Sequence, residues 1–234
     1  MKRIITTAVF LVFSTISANA IDKSSFEVFS LTGGVANSQS VWGASAREKN
    51  FNDTNVLTHN KRASGVFTDG YGSQFVELGI GRFVSIGLEQ QDDMQTPTNV
   101  NHEGNALHEN TVAVAFNNID TTYAKLNLPQ GFYLKYGTFD VDMKITASIA
   151  SGNTYGDRTA SGKSVGGGVQ KYFRDTGFGY RFEANLVDID NVVTTNGVTT
   201  GSTASGGTNT VTISGMQGAN AKVALTYTLG REGN

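Results

Sequence analysis

The chain has 234 residues, which is the size of one domain, and it contains no cysteine, so disulfide bonds and thiolate metal sites are excluded. Its net charge of −2 argues against nucleic-acid binding, because phosphate contacts need a basic surface. Charged residues make up only 16% of the chain, while an apolar fraction of 38% and 28 glycines indicate a folded, weakly charged protein.

The first twenty residues (1–20) have the composition of a secretory signal peptide. A basic start at Lys2 and Arg3 is followed by an apolar stretch, and Ala18-Asn19-Ala20 matches a small-x-small cleavage site. The apolar stretch is too short for a membrane-spanning helix, and no later stretch reaches the ~18 apolar residues that such a helix needs. The mature protein is therefore expected to be either a soluble exported domain or a transmembrane β-barrel.

The mature domain, residues 21–234, is predicted to be all-β. Apolar and polar residues alternate with period two, and a helical period fits none of these stretches. A type I′ turn at Asp69-Gly70 would give ten strands, whereas without that turn the pattern gives eight. The eight predicted strands are approximately 26–46, 66–80, 83–91, 110–128, 132–146, 163–173, 178–193 and 208–229.

The predicted connections alternate between short and long. Tight turns are expected at Gly81-Arg82, at 129–131 and at 174–177. The long polar loops are 47–65, 92–109, 147–162 and 194–207. An even number of antiparallel strands with this asymmetry predicts an up-and-down transmembrane β-barrel. A soluble periplasmic β-sandwich is the alternative, because alternation does not show which face is buried.

Charged residues occupy the middle of the predicted strands, on the face opposite the apolar one. The interior of an eight-stranded barrel is just wide enough for its side chains to fill, and unpaired charges are costly there. We therefore expect a salt-bridged plug; in a porin the same residues would line water and set ion selectivity. The four acids and four bases are Glu27, Glu77, Glu89, Lys125, Lys135, Arg181, Glu183 and Lys222.

Two further features concern the facing of side chains. Aromatic residues near short turns or a terminus predict a girdle at the periplasmic interface. These are Phe26, Phe83, Phe132, Tyr133, Tyr172, Phe173, Phe178, Tyr180 and Tyr227. In the fifth strand the apolar phase changes from even numbers at Phe132 to odd numbers at Phe139, and we expect a bulge near Gly137-Thr138. Gly166 to Gly168 would leave room for bulky side chains across the lumen.

With these features the chain resembles the small eight-stranded outer-membrane barrels of the OmpA transmembrane-domain and OmpX type. The resemblance is one of pattern, namely the cleavage site, three short turns, four long loops and a final strand over 221–229. It implies an outer-membrane protein that meets membrane lipids, lipopolysaccharide and the barrel-assembly machinery; the sequence leaves the oligomeric state open, with a monomer favoured. Such proteins usually end on an aromatic residue that the assembly machinery reads, whereas here residues 230–234 follow the final strand.

Residues with catalytic or metal-binding chemistry are few. The three histidines, His59, His102 and His108, lie in predicted loops near several carboxylates. They could hold a divalent cation or serve as the base of a lipid-modifying enzyme, but solvated loop side chains explain them as well. Lys61-Arg62 could contact lipopolysaccharide phosphates. The sequence predicts no cofactor, no metal and no enzymatic activity.

The predicted function is that of a barrel with a charge-plugged lumen, which serves envelope structure and surface interaction through long extracellular loops. A small porin is the alternative, and a lipid-modifying enzyme is a third. The long loops 47–65 and 92–109 would carry any adhesive or receptor role.

Overall fold

The computed structural model describes residues 29–52, 54, 56–102, 109–148, 155–173, 176–196 and 209–230. The predicted signal peptide, Phe26 and Glu27 lie outside the described residues. No helix of the described residues is long and apolar enough to cross a membrane. What these residues form is an antiparallel β-barrel with a ring of eight strands, so the predicted fold class is confirmed.

The described residues contain eleven β-strands, of which three are short extensions. The two extensions β4 and β5 continue β3 along β6, and β10 continues β9 along β11. The ring closes where β1 pairs with both β2 and β11. The strands are β1 (Phe29–Phe51), β2 (Leu57–Ile80), β3 (Val84–Gln91), β4 (Met94–Gln95), β5 (Asn99–His102), β6 (Glu109–Asn127), β7 (Phe132–Ser148), β8 (Arg158–Tyr172), β9 (Phe178–Ile189), β10 (Val192–Thr195) and β11 (Thr210–Leu229).

The first two strands are much longer than the sequence pattern indicated. β1 continues to Phe51 and β2 begins at Leu57, so most of the predicted loop 47–65 is paired strand. Asp69 and Gly70 lie inside β2, opposite β1, and form no turn. The ten-strand alternative is therefore wrong.

Along its axis the barrel has two zones of opposite polarity. In the lower zone, next to the short turns, outward side chains are apolar, as at Phe132, Leu134 and Tyr136 of β7. This apolar belt ends at a ring of outward polar side chains. They are Gln39, Gln74, Asp120, Asp140, Lys163, Asp188 and Gln217. Above that ring lies the upper zone, in which the outer wall is mostly polar but includes exposed valines such as Val66.

The reversal is clearest in β7, where the same face of one strand passes from charged to apolar. Phe139, Val141 and Met143 are buried inside the barrel, while Asp140 and Asp142 between them face outward and are exposed. β7 pairs with β8 without a register shift. The predicted bulge near Gly137-Thr138 is therefore wrong. Odd-numbered residues of β7 face the interior and even-numbered residues face outward along the strand, while the medium outside the barrel changes from lipid to water.

An apolar core fills the interior of the upper zone. A bulge in β6 between Asn117 and Asp120, with Asn118 at φ 54°, turns Phe116 inward. The sequence pattern had placed Phe116 on the same face as Leu126, which faces outward. The core consists of Trp42, Tyr71, Met94, Phe116, Ile119, Phe139, Val141, Met143, Ala160, Val187, Ile189, Val192 and Met216.

Aromatic rings do face outward at the lower edge of the barrel. Phe83, Phe132, Phe173 and Phe178 are all exposed there, as expected of an interfacial girdle. Tyr133 does not belong to the girdle, since it alternates with Phe132 and lies inside at 2% exposure. A second aromatic, Tyr172, turns its hydroxyl to Gln170, which is buried in the interior.

Glycines lie beside the aromatic residues that point inward. A Cβ on Gly87 would lie 2.4 Å from Cζ of Tyr123, and a Cβ on Gly168 would lie 2.6 Å from the hydroxyl of Tyr133. The rings therefore pack over the backbone of the adjacent strand. Gly168 makes room for a neighbour on β7, not for a residue across the lumen.

Candidate functional site

Seven of the eight predicted charged residues lie together inside the lower zone, at the level of the apolar belt. Each is at most 5% exposed, because strand alternation turns it inward while its apolar neighbours turn outward. The eighth, Glu27, lies outside the described residues. The seven, here called the charge network, are Glu77, Glu89, Lys125, Lys135, Arg181, Glu183 and Lys222.

Glu77 is the centre of one half of the network. Its two carboxylate oxygens accept from Nη1 and Nη2 of Arg181, both at 2.8 Å, in a bidentate pair. Lys125 Nζ lies 2.5 Å from Oε2, and the hydroxyl of Tyr123 donates to Oε1 at 2.9 Å. Gln170 Oε1 accepts from Arg181 at 2.9 Å and from Lys125 at 3.2 Å, which holds the two cations side by side.

Glu89 and Glu183 form the other half. Lys135 Nζ joins them, at 2.8 Å from Oε2 of Glu89 and 3.0 Å from Oε1 of Glu183. Lys222 donates to Glu89 and lies 3.6 Å from Glu183. The hydroxyl of Tyr133 donates to Glu183 at 2.8 Å. Each carboxylate is therefore shared by at least two donors, as burial requires.

The described part of the network contains four cations and three carboxylates. Aromatic faces partly compensate the extra positive charge, since Lys135 Nζ lies 4.1 Å from the ring centroid of Tyr123 and Arg181 Cζ lies 4.6 Å from that of Phe75. In such a desolvated site each charged group depends on its partners for stabilisation, because the loss of one partner leaves a buried charge unpaired.

The apolar core closes the interior above the network. Between the two lies a cavity of about 30 Å³, lined on one side by Glu89 and Lys222 and on the other by Trp42 and Phe139. A cavity of this size holds only one or two water molecules. Asn185 also lines it, and its Oδ1 has no hydrogen-bond partner among the described residues. Both layers fill the interior of the described part of the barrel with buried side chains.

The sequence reasoning missed the polar side chains that complete the network. Tyr123 and Tyr133 are each two positions before a network lysine, so period-two facing could have placed them inside. Asn185 carries the same signal, because it lies two positions after Glu183, whereas Gln170 has no charged residue at that spacing.

The candidate catalytic residues are not assembled in the described part of the chain. His59 belongs to β2 and His102 to β5, so the prediction that they lie in loops is wrong. His108 is outside the described residues. In the ranges that the structure describes, no group of three or more histidine and carboxylate side chains is placed to hold a metal ion.

No family model matches the sequence, and no curated protein matches it. Among solved structures, the chain is similar to the outer membrane protein OprG from Pseudomonas aeruginosa, with a TM-score of 0.50 and 7% identity over 85% of this chain and 95% of that one. It is also similar to the outer membrane protease OmpT from Escherichia coli, with a TM-score of 0.45 and 8% identity over 85% and 97%. For the outer membrane protein AlkL the TM-score is 0.41, with 11% identity over 86% and 92%.

The likeness to OprG confirms the predicted resemblance at the level of the fold. A barrel wall whose outward side chains are apolar is stable only against lipid, and closed barrels of this type are outer-membrane proteins. The chain is thus an integral β-barrel of the outer membrane, as predicted.

Proposed function

We propose that this protein is a closed outer-membrane barrel, without enzymatic activity, that serves envelope structure and surface interaction and does not conduct ions. The observation that carries the proposal is that two layers of side chains fill the interior, the charge network in the lower zone and the apolar core above it. An ion on its way through would have to separate buried ion pairs of the charge network and then cross the apolar core.

The upper zone supports a role at the cell surface. Its wall is built of paired strands, and the part of β1 from Gln39 to Phe51 corresponds to a rise of roughly 30 Å above the belt. A rigid wall of this kind carries the loops well clear of the lipid, where they can meet external partners. The long, polar first hairpin is consistent with that role.

Single-channel recording tests whether the barrel is closed. The mature chain is refolded in detergent, its folding is verified by a heat-modifiable gel shift, and currents are measured in a planar bilayer. We expect no regular conductance steps, and a known porin treated in the same way shows that the assay detects channels. A variant truncated in both layers, with Lys135→Ala, Phe139→Ala and Val141→Ala, is expected to conduct if it folds.

Regular steps from the unaltered chain would contradict the proposal and favour the small porin. In that case the network residues would set ion selectivity, and Glu77→Gln would shift the reversal potential in a salt gradient.

A further inference from the structure

A groove with three basic side chains lies on the outer wall of the upper zone, on the face formed by β1, β2 and β11. Its volume is about 400 Å³. It is lined by Arg47, Lys49 and Arg62 and by the hydroxyl-bearing Ser45, Thr212 and Ser214, with no carboxylate among its lining residues. We call it the basic groove. Cationic groups with hydroxyl donors beside them are the chemistry that binds phosphate and carboxylate oxygens.

The basic groove brings like charges together. Arg47 lies directly opposite Arg62 in the antiparallel pair of β1 and β2, an arrangement that destabilises a sheet. Nε of Arg47 donates to Oδ1 of Asn60 at 2.8 Å, which orients the guanidinium and leaves its terminal N–H groups available. Glu48 cannot neutralise the pair, because it alternates to the other face, where it accepts from Tyr155.

No ion pair joins the three cations of the basic groove to a carboxylate within the described residues. An anion that bridges Arg47 and Arg62 would remove their repulsion and supply acceptors to both guanidinium groups. The strand pairing and the missing carboxylates therefore point independently to an anionic ligand.

Position along the barrel indicates which anion it is. The basic groove opens sideways, and Arg47 lies roughly 20 Å above Gln39, where the apolar belt ends. A ligand there stands beside the barrel in the membrane plane, above the acyl chains and level with the sugars of the outer leaflet. We propose that the basic groove binds phosphorylated or carboxylated core sugars of the lipopolysaccharide next to the barrel.

The opposite wall, closer to the belt, carries exposed charges of both signs, including Lys144 and Lys163. Asp140 and Asp142 are exposed there on β7, with Asp157 and Asp190 farther round the barrel. The amide of Asn118 donates to Asp142 at 2.9 Å and, with Thr159, holds the pKa of that carboxyl below its ordinary value, so the group stays ionised. An anionic sugar would therefore meet charges of both signs on the opposite wall, whereas the basic groove offers three cations and no lining carboxylate.

The test measures binding of labelled lipopolysaccharide to the refolded chain in mixed micelles. Three probes are compared: lipopolysaccharide with a phosphorylated inner core, lipid A without core sugars, and soluble dextran sulfate. The variant is Arg47→Gln with Arg62→Gln. The matched control is Lys144→Gln with Lys163→Gln, which removes the same charge from exposed positions on the other side. A third variant, Arg47→Lys with Arg62→Lys, keeps the charge but loses the planar donor pairs.

We expect the unaltered chain to bind the inner-core lipopolysaccharide more tightly than lipid A. The double glutamine variant should lose roughly tenfold or more of this affinity, since at least two charge-assisted hydrogen bonds disappear, and the lysine variant should fall between. The control pair should change affinity by less than about twofold.

Three results would overturn the proposal. Equal losses in the variant and its control would show a general charge effect, and equal binding of lipid A would place the contact at the lipid phosphates. Preferential binding of dextran sulfate would assign the basic groove to soluble polyanions. None of these results depends on whether the barrel conducts, so failure here leaves the proposed function untouched.

Discussion

At the residue scale, Arg181 is the side chain that joins the two halves of the charge network. It is 1% exposed, binds both oxygens of Glu77, and its Nη1 lies 4.0 Å from Oε2 of Glu183. Its partners come from different strands, so the guanidinium ties β2 to β9 across the interior. Its surroundings explain why a charge is tolerated in a buried position at the level of lipid.

Arg181→Ala should destabilise the barrel by about 3–5 kcal/mol, because Glu77 loses its bidentate partner in a desolvated site. Urea unfolding in detergent measures this, followed through the fluorescence of Trp42, the one tryptophan of the chain. Lys144→Ala, at an exposed position, should change stability by less than about 0.5 kcal/mol. Equal midpoints for the two variants would show that the network does not stabilise the fold.

The charged members of the network were predictable from the sequence, whereas their partners were not. Facing follows from alternation along one strand, which is local information. The pairing of Arg181 with Glu77, by contrast, depends on how strands far apart in the chain are placed around the barrel. The sequence alone therefore supports a list of inward charges without showing which of them meet.

At the element scale, β6 and β7 mark the limit of the period-two pattern. Alternation shows which residues share a face, but not whether lipid, water or protein lies beyond it. In β7 a change of surroundings above Gly137 imitated a bulge that does not exist. In β6 the bulge at Asn118 has no signal in the sequence. Phe116 and Leu126 are both apolar and both have even residue numbers, so the pattern placed them on one face, although they lie on opposite faces.

Pairs of glycine and aromatic residues should be sensitive to a single methyl group. Gly87→Ala is expected to cost about 1–3 kcal/mol, because the added Cβ would displace the ring of Tyr123, whose hydroxyl donates to Glu77. Gly43→Ala is the matched control on β1, since a Cβ there meets nothing within 4 Å and should be neutral or slightly stabilising. Urea unfolding of both variants checks this, and equal midpoints would contradict the packing role.

The segment that precedes β8 should respond to alkaline pH. The hydroxyl of Tyr155 donates to Oε1 of Glu48 at 3.3 Å; burial raises the pKa of Tyr155 from 10.0 to about 12, and the charge of Glu48 adds to the shift. Below pH 10 the contact keeps its full strength. Between pH 10 and 12, Tyr155 ionises more readily when its segment is detached from the barrel than when its hydroxyl contacts Glu48. The contact therefore weakens as the pH rises.

Glu48→Gln should lower the pKa of Tyr155 while leaving it above 10.0, since burial persists after the charge is gone. The Cζ chemical shift of labelled tyrosine reports this titration, and Tyr155→Phe identifies the resonance. An unchanged titration in Glu48→Gln would show that the carboxylate does not reach the phenol in solution.

At the scale of the whole molecule, the two zones follow from one requirement, namely that apolar side chains avoid water and polar side chains avoid lipid. From Phe178 to Leu186 the outward apolar residues of β9 rise roughly 20 Å, close to the ~25 Å belt of outer-membrane barrels. There the outside is apolar for lipid, and polar groups pair inside. Above the belt the outside faces water, and the apolar groups move inside. The sequence showed the strands but not this boundary, which appears only when the eight strands are aligned.

The boundary can be located by thiol labelling, because the natural chain has no cysteine. Leu134→Cys and Asp140→Cys lie on the same outward face of β7, below and at the polar ring, and Leu134 is 56% exposed when lipid is not counted. In vesicles, a membrane-impermeant maleimide should label Asp140→Cys rapidly and Leu134→Cys slowly, while both react fully in urea. Val141→Cys, inside and 1% exposed, should react only after unfolding. Rapid labelling of Leu134→Cys in vesicles would mean that the apolar belt faces water, and would contradict both the membrane boundary and the barrel's integral placement.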